Sequence, residues 1–414
     1  MQPRRTNMGK YMELENNATN EYLDNKIKVL QFCDNYYPQI DGVIKVVDNS
    51  TRIMNERHSA KVVVPKYKGK DFDDSFFSYD VLRRNTSSVM FNGIEIPLPK
   101  KTNDVTASIK NYNADIYHIH SPFFVGRYAL KLAKENKVPV IGTFHSQFKK
   151  DILSVTHSKM LADVLVKNIV SVFNQCTEVW APSISTANVL RSYGYEKEIF
   201  IMENGTDFTY PDNINETVEC VKKQYGIQDC HKNLLFVGQI RDVKNISLIL
   251  ETLKGLLNVD QSYHLYLVGE GSDRAKYEKW IADKGIQTNV HFLGKITDKT
   301  VLAGIYAACD LFFFPSTYDN APIVVRESCV MRTPVLLPLG AVAAEPFLDG
   351  VNGYLAEENA EKMKDKIVKI FQSPEEMRKI GERAAKEIPI SYQKMVDKTL
   401  ERYEVVIRRF RGEK

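Results

Sequence analysis

The strongest constraint in this sequence is a rhythm: short apolar runs of strand length alternate with helical stretches, and the alternation occurs twice. The first run, IKVLQFC at 27–33, ends in the turn-rich loop DNYYPQIDG, after which 43–56 has helical spacing. Further strands are predicted at 60–65, 116–120, 138–144, 178–181 and 198–202, with helices at 124–135, 158–175 and 185–192. Residues 209–232 are polar and carry no strong strand, so they read as a linker with one short helix. The rhythm then resumes. Strands are predicted at 233–237, 264–268, 290–293, 311–314 and 335–337, and helices at 246–257, 273–284, 298–308 and 323–330. Strands alternating with helices imply parallel sheets with right-handed crossovers. The fold class is therefore α/β, with parallel-sheet domains at 25–208 and 233–388. The stretch 389–414 carries Met395, Leu400, Tyr403, Val406 and Ile407 at near-helical spacing.

A chain of 414 residues has room for two such domains. Hydrophobic residues at 43% and charged residues at 26% exclude a wholly disordered chain or a fibre. A net charge of +4 is too small to argue for nucleic acid as a partner. The six cysteines form no CxxC pair and no zinc spacing, and read as buried thiols of a reducing compartment. No stretch of 18 uncharged apolar residues is present to span a membrane. The polar residues 1–24 read as a disordered tail, without the apolar segment of a secretory signal. The expected location is cytoplasmic.

In an open parallel sheet, ligands bind beyond the carboxyl ends of the strands. Polar residues just past those ends are therefore the informative ones. Gly42 sits where a helix starts, so it is either a simple turn or a place where backbone can approach an anion. Arg241 and Lys244 follow a strand, as a solvated loop or as cations for a diphosphate. Asp319 and Glu327 are two carboxylates close in sequence. Asp319 reads as a helix cap and Glu327 as a surface residue, or both face the hydroxyls of a sugar or ribose. His120 and His145 end strands, where a histidine is either structural or catalytic, and His118 reads as a core residue. No histidine pair has the spacing of a helical zinc site.

Together these segments resemble the retaining glycosyltransferases of family 4, which have the GT-B fold. The resemblance covers nearly all of 27–410 and rests on YYPQIDGV, DIYHIHSPF, VIGTFHSQF, VWAPS, ENGTDF, LLFVGQI, VKNISLIL, LYLVGEGSDR, VHFLGKI and YAACDLFFFPS in family order. The family's E-x7-E motif is matched by Asp319 and Glu327, and the opening PQIDGV resembles the branch of diacylglycerol glucosyltransferases and sulfoquinovosyl-type lipid enzymes. The resemblance implies two Rossmann-like domains facing a cleft, with a last helix returning to the first. It implies a hexosyl transfer from a nucleotide sugar, UDP-linked, to a lipid or glycolipid acceptor such as diacylglycerol.

The same resemblance suggests roles for individual residues. Glu327 would hold the ribose. Asp319, Asn320, Ala321, Pro322 and Ile323 would contact the donor sugar and diphosphate. Lys244 and Arg241 would neutralise the diphosphate, and Ile296 would border the base. Gly42 would bring backbone to the phosphates. His145 would lie near the reacting sugar and His120 near the acceptor. No metal or other cofactor is implied. Asp319 replaces the family's Glu, and Gln239 stands where the family carries Arg. Basic stretches at 64–70 and 408–414 would suit an anionic membrane surface. A surface polysaccharide or protein-linked glycan is the alternative acceptor, and a non-catalytic partner subunit is the alternative class.

Overall fold

In the computed structural model, which describes residues 26–413 except 40, 67–71, 92–93, 100–104 and 320, the chain forms two units. The first holds the chain up to Gly205 together with Tyr392–Lys414, and the second is Thr206–Ser391. The tail expected at 1–24 lies outside the described residues.

The first unit runs β1 (Lys28–Phe32), α1 (Gly42–Arg57), β2 (Ser59–Lys66), β3 (Val81–Phe91), β4 (Ile94–Pro99), α2 (Thr106–Tyr112), β5 (Ile116–Ile119), α3 (Phe124–Asn136), β6 (Val140–Thr143), α4 (Phe148–Thr156), α5 (Lys159–Phe173), β7 (Glu178–Ala181), α6 (Ile184–Ser192) and β8 (Phe200–Ile201). Its sheet has the order β4-β3-β2-β1-β5-β6-β7-β8. Seven strands are parallel, and the edge strand β4 pairs antiparallel with β3. β5, β6 and β7 are buried almost throughout because helices cover both faces of a parallel sheet. Leu30, Phe32, Ile119, Phe144 and Val179 belong to the main core.

The second unit runs α7 (Ile214–Tyr225), β9 (Lys232–Val237), α8 (Ile246–Leu257), β10 (Tyr263–Val268), α9 (Arg274–Lys284), β11 (Val290–Gly294), α10 (Lys299–Ala308), β12 (Leu311–Phe313), α11 (Ile323–Val330), β13 (Val335–Pro338), β14 (Tyr354–Ala356), α12 (Ala360–Ile370) and α13 (Pro374–Glu387). Its six parallel strands are ordered β11-β10-β9-β12-β13-β14. Both units are thus doubly wound. The strand order reverses direction between β1 and β5 in the first, and between β9 and β12 in the second.

The last helix, α14 (Tyr392–Arg411), packs on the first unit. Its Tyr403 stacks on Trp180 of β7 with ring centroids 5.6 Å apart. Arg402 grips Glu178 with two bonds of 2.9 and 2.6 Å, both side chains being largely buried. A bidentate, sheltered pair of this kind fixes a helix in one register.

Three differences from the sequence reading have physical causes. The segment 209–232 is not a linker. Its helix α7 lies against Gly304 of α10, where an added Cβ would come within 2.8 Å of Thr217 and Val221. The β3–β4 hairpin falls in a polar stretch, VLRRNTSSVMF, whose alternation is too weak to announce a strand. Helix α4 follows β6 so closely that it reads as loop.

Candidate functional site

The switch point of the second sheet places the loop after β9 beside the loop after β12. Lys244 comes from the first loop and Asp319 from the second, and Lys244 Nζ lies 2.5 Å from Asp319 Oδ1. Ser316 donates to the other oxygen, Oδ2, at 2.6 Å. Tyr318 presents its ring 5.4 Å from the Lys244 ammonium. Of the two readings of Asp319, helix cap or contact for sugar hydroxyls, the cap does not hold, because α11 starts four residues later behind Pro322, with no side-chain cap. Its carboxylate is spent on Lys244 and Ser316 instead.

Glu327 lies on α11 and is 1% exposed, so it does not point to water as a surface residue would. Tyr306 of α10 donates to its Oε2 at 3.0 Å. Burial and the neighbouring carboxylate push the Tyr306 hydroxyl well above its ordinary range, so it stays a donor. Ala321 and Pro322 are half-buried and Ile323 is buried at the start of α11, while Asn320 lies outside the described residues. Arg241 is exposed at the head of the same loop as Lys244, and Gln239 is exposed two residues before it. Ile296 packs on the margin of the core beyond β11.

Glycines hold these loops close together. Gly269 ends β10 at φ +136°, and a Cβ there would lie 1.9 Å from the Gly238 carbonyl oxygen. A Cβ on Gly271 would lie 2.2 Å from the Ile240 carbonyl oxygen. The Ile240 amide donates to the Glu270 carbonyl at 3.1 Å. The GEGS segment at 269–272 is the backbone ledge on which the Arg241–Lys244 loop rests.

The switch point of the first sheet is lined by imidazoles. His118 and His120 stack with centroids 4.1 Å apart. Tyr403 Oη lies 2.5 Å from His118 Nδ1, and Thr143 Oγ1 lies 2.6 Å from its Nε2. His120 Nδ1 meets His145 Nε2 at 3.0 Å, and His120 Nε2 meets Gln31 Oε1 at 2.8 Å. Together these residues border a cavity of about 30 Å³. Burial pushes the rings toward the neutral form, His145 down to about 4 and His118 down to about 3. His120 is driven well below 6.5 by burial and by the two neighbouring rings.

Nearby, Asp41 caps α1, accepting from the Ile44 amide at 2.8 Å. Nothing lies within 4 Å of a Cβ built on Gly42, so within its own unit this helix start is uncovered. Asp34, pushed up to about 6 by burial, accepts from the Phe123 and Val125 amides and so caps α3, which has no cap of its own.

The predicted residues therefore gather in two groups. Lys244, Asp319, Arg241 and Glu327 lie around the second switch point, and Gly42, His120 and His145 around the first. Sequence reasoning missed Tyr306, Ser316, Gln31 and Tyr403. Only Gln31 carried a signal, as a polar residue set between the apolar residues of a strand.

Both units are doubly wound, and the second carries a cation–carboxylate pair and a buried acid around its switch point. Residues 40–210 match the model of Glycosyltransferase Family 4, and residues 218–387 match that of Glycosyl transferases group 1. The chain belongs to glycosyltransferase family 4 and has the GT-B fold. It is 25% identical to the alpha-monoglucosyldiacylglycerol synthase of Streptococcus pneumoniae over 320 residues, covering 74% of this chain and 69% of that one. It is 26% identical to a GDP-mannose-dependent alpha-mannosyltransferase of Corynebacterium glutamicum, covering 80% and 77%. The solved structure of Anabaena HepE in complex with UDP superposes with a TM-score of 0.71 at 16% identity, covering 92% of this chain and 100% of that one.

Proposed function

We propose that this glycosyltransferase moves a hexose from a UDP-sugar to a lipid or glycolipid acceptor, with retention of the anomeric configuration. The observation that carries the donor half is the Lys244–Asp319 pair, with Glu327 buried on the helix that follows the Asp319 loop. Glu327, with one oxygen held by Tyr306, accepts hydrogen bonds from ribose hydroxyls. Lys244, pre-aimed by Asp319, meets the charge that grows on the departing diphosphate. Arg241, exposed on the same loop, adds to it. These cations do the neutralising, so the reading assigns no step to a metal. The bond between the sugar C1 and the phosphate oxygen breaks, and a bond from C1 to the acceptor oxygen forms on the same face. The acceptor's hydroxyl proton passes to the leaving phosphate. The UDP preference draws support from the complex of HepE, and the lipid acceptor from the relative that makes glucosyldiacylglycerol.

A surface feature favours the lipid reading. On α5, Met160, Leu161, Val164 and Leu165 are exposed, at 79, 44, 51 and 38%. Lys159 and Lys167 flank them in the exposed part of the same helix. Apolar side chains rimmed by cations suit the interface of an anionic bilayer. Among the described residues, no helix is long and apolar enough to cross a membrane.

The decisive experiment incubates the purified protein with UDP-glucose or GDP-mannose, against diacylglycerol in anionic vesicles, free glycans or no acceptor. The α-linked glucolipid is the expected product. A β-linked product overturns retention, transfer to free glycans alone overturns the lipid acceptor, and absence of all turnover favours a partner subunit.

A further inference from the structure

The turn that carries Lys244 is only three residues long, Asp242–Lys244, and its two ends are tied to different parts of the second unit. At the near end, both carboxylate oxygens of Asp242 accept from Lys276 Nζ at 2.7 Å, and the Tyr277 hydroxyl donates to Oδ1. Tyr277 lies on α9 and is 2% exposed, within the core of that unit. Lys276 and Tyr277 hold the Asp242 carboxyl below its ordinary range, so it stays an acceptor. Burial and the Asp242 carboxylate push the Tyr277 hydroxyl up, so it stays a donor.

At the far end stands Asn245, at φ +60° and ψ 38°. This left-handed conformation closes the turn ahead of α8, and asparagine is one of the few residues besides glycine that adopt it readily. The Asn245 side chain reaches outward. Its Nδ2 donates to Glu358 Oε1 at 2.8 Å and to the Pro315 carbonyl at 3.4 Å. Both partners are acceptors, which fixes the amide with its nitrogen toward them. Pro315 belongs to the loop that carries Asp319, and Glu358 lies between β14 and α12. One amide thus ties together the loops after β9, β12 and β14.

We propose that Tyr277 and Asn245 are positioning residues that hold this turn from its two ends and so aim the Lys244 ammonium before any phosphate arrives. The role of Lys244 rests on the proposed transferase reading, whereas the rigidity of the turn does not. Asp319 fixes only the tip of a long, flexible side chain, and the turn fixes its base. A lysine on a loose turn has to be ordered as charge grows on the leaving diphosphate, and that ordering subtracts from the stabilisation it gives. The loss falls on the chemical step more than on binding of the nucleotide sugar.

The test joins hydrogen exchange read by mass spectrometry, without substrate, to initial rates of transfer in Tyr277→Phe and Asn245→Gly. The first variant keeps the ring in the core, and the second keeps the left-handed conformation accessible. Exchange in the segment 241–246 is expected to quicken about fivefold or more in each variant, with the rest of the unit unchanged. kcat is expected to fall about 5- to 10-fold, while KM for the nucleotide sugar stays within about threefold. In a Lys244→Ala background the same substitutions should lower kcat by no more than about twofold, because no ammonium is left to aim. Unchanged exchange in both variants overturns the proposal, with or without turnover. Equal losses of kcat with and without Lys244 also overturn it, since the damage would not pass through that residue. Lack of any turnover in the unmodified protein overturns the transferase reading instead, and the exchange result then decides the rigidity of the turn alone.

Discussion

Lys244 and Asp319 sit 75 residues apart in sequence, yet the Lys244 ammonium lies 2.5 Å from the Asp319 carboxylate across the switch point of the second sheet. The pair is 13 and 18% exposed, so a polyphosphate brought to it would find a partly desolvated cation already aimed. Replacing Lys244 by Ala is expected to lower kcat/KM for transfer about 100-fold or more, as loss of a pre-aimed charge does elsewhere. Asp319→Asn is expected to cost less, because the cation remains but loses its tether. Initial rates with UDP-glucose give both values, and near-native activity of Lys244→Ala would remove the pair from the mechanism.

Glu327 needs Tyr306 to hold one oxygen in place. Tyr306→Phe should weaken UDP binding about 5- to 10-fold, the worth of one hydrogen bond to a charged group. Glu327→Gln should weaken it more, since the amide presents a donor where ribose hydroxyls also donate. Isothermal titration with UDP measures both, and equal affinity in all three proteins would place the nucleotide elsewhere.

Gly269 is a position where a methyl group has no room. At φ +136° and 1.9 Å from the Gly238 carbonyl oxygen, a Cβ would force the β9 and β10 loops apart. Gly269→Ala is expected to destabilise the protein by about 1–3 kcal/mol. It should also lower activity through displacement of the Lys244 loop. Urea unfolding and transfer rates report the two effects separately, and Gly285→Ala, with nothing within 4 Å of its Cβ, serves as the control for strain alone.

The buried imidazoles make stability depend on acid. His118, His120 and His145 are neutral when folded and titrate near 6.5 when unfolded, so the unfolded chain binds more protons below that pH. Stability is whole above pH 6.5 and falls as pH drops toward about 4, where His145 titrates in the folded protein. Asp34 works the other way between 3.8 and about 6, because its folded form holds a proton more tightly. One carboxylate against three imidazoles leaves a net loss in acid. Denaturant unfolding across pH 7 to 4.5 should show it. His145→Asn should flatten the slope by up to about 1.4 kcal/mol per pH unit. A slope that is flat in the unmodified protein would mean these rings are not buried neutral.

Much of the fold was legible because strand and helix periods are local. The apolar runs at 27–33, 116–120, 233–237 and 311–314 all became strands of the two sheets. The hairpin Val81–Pro99 was not legible, since an antiparallel edge pair needs less apolar sequence than a central strand. The boundary of the second unit was also hidden. Helix α7 looks polar in isolation, and only its packing on Gly304 shows that it belongs to that unit.

The sequence by itself determined the α/β class, the two-unit organisation, the family and the candidate residues at strand ends, because each of these is carried by patterns a few residues long. Tertiary structure alone decided that Asp319 serves Lys244 instead of a helix end, that Tyr306 supports Glu327, and that Gln31 of β1 meets His120 of β5. Those relationships join residues from different elements, 21 to 89 positions apart. Hydrogen bonds of fixed direction arise only once burial has removed water as a competing partner.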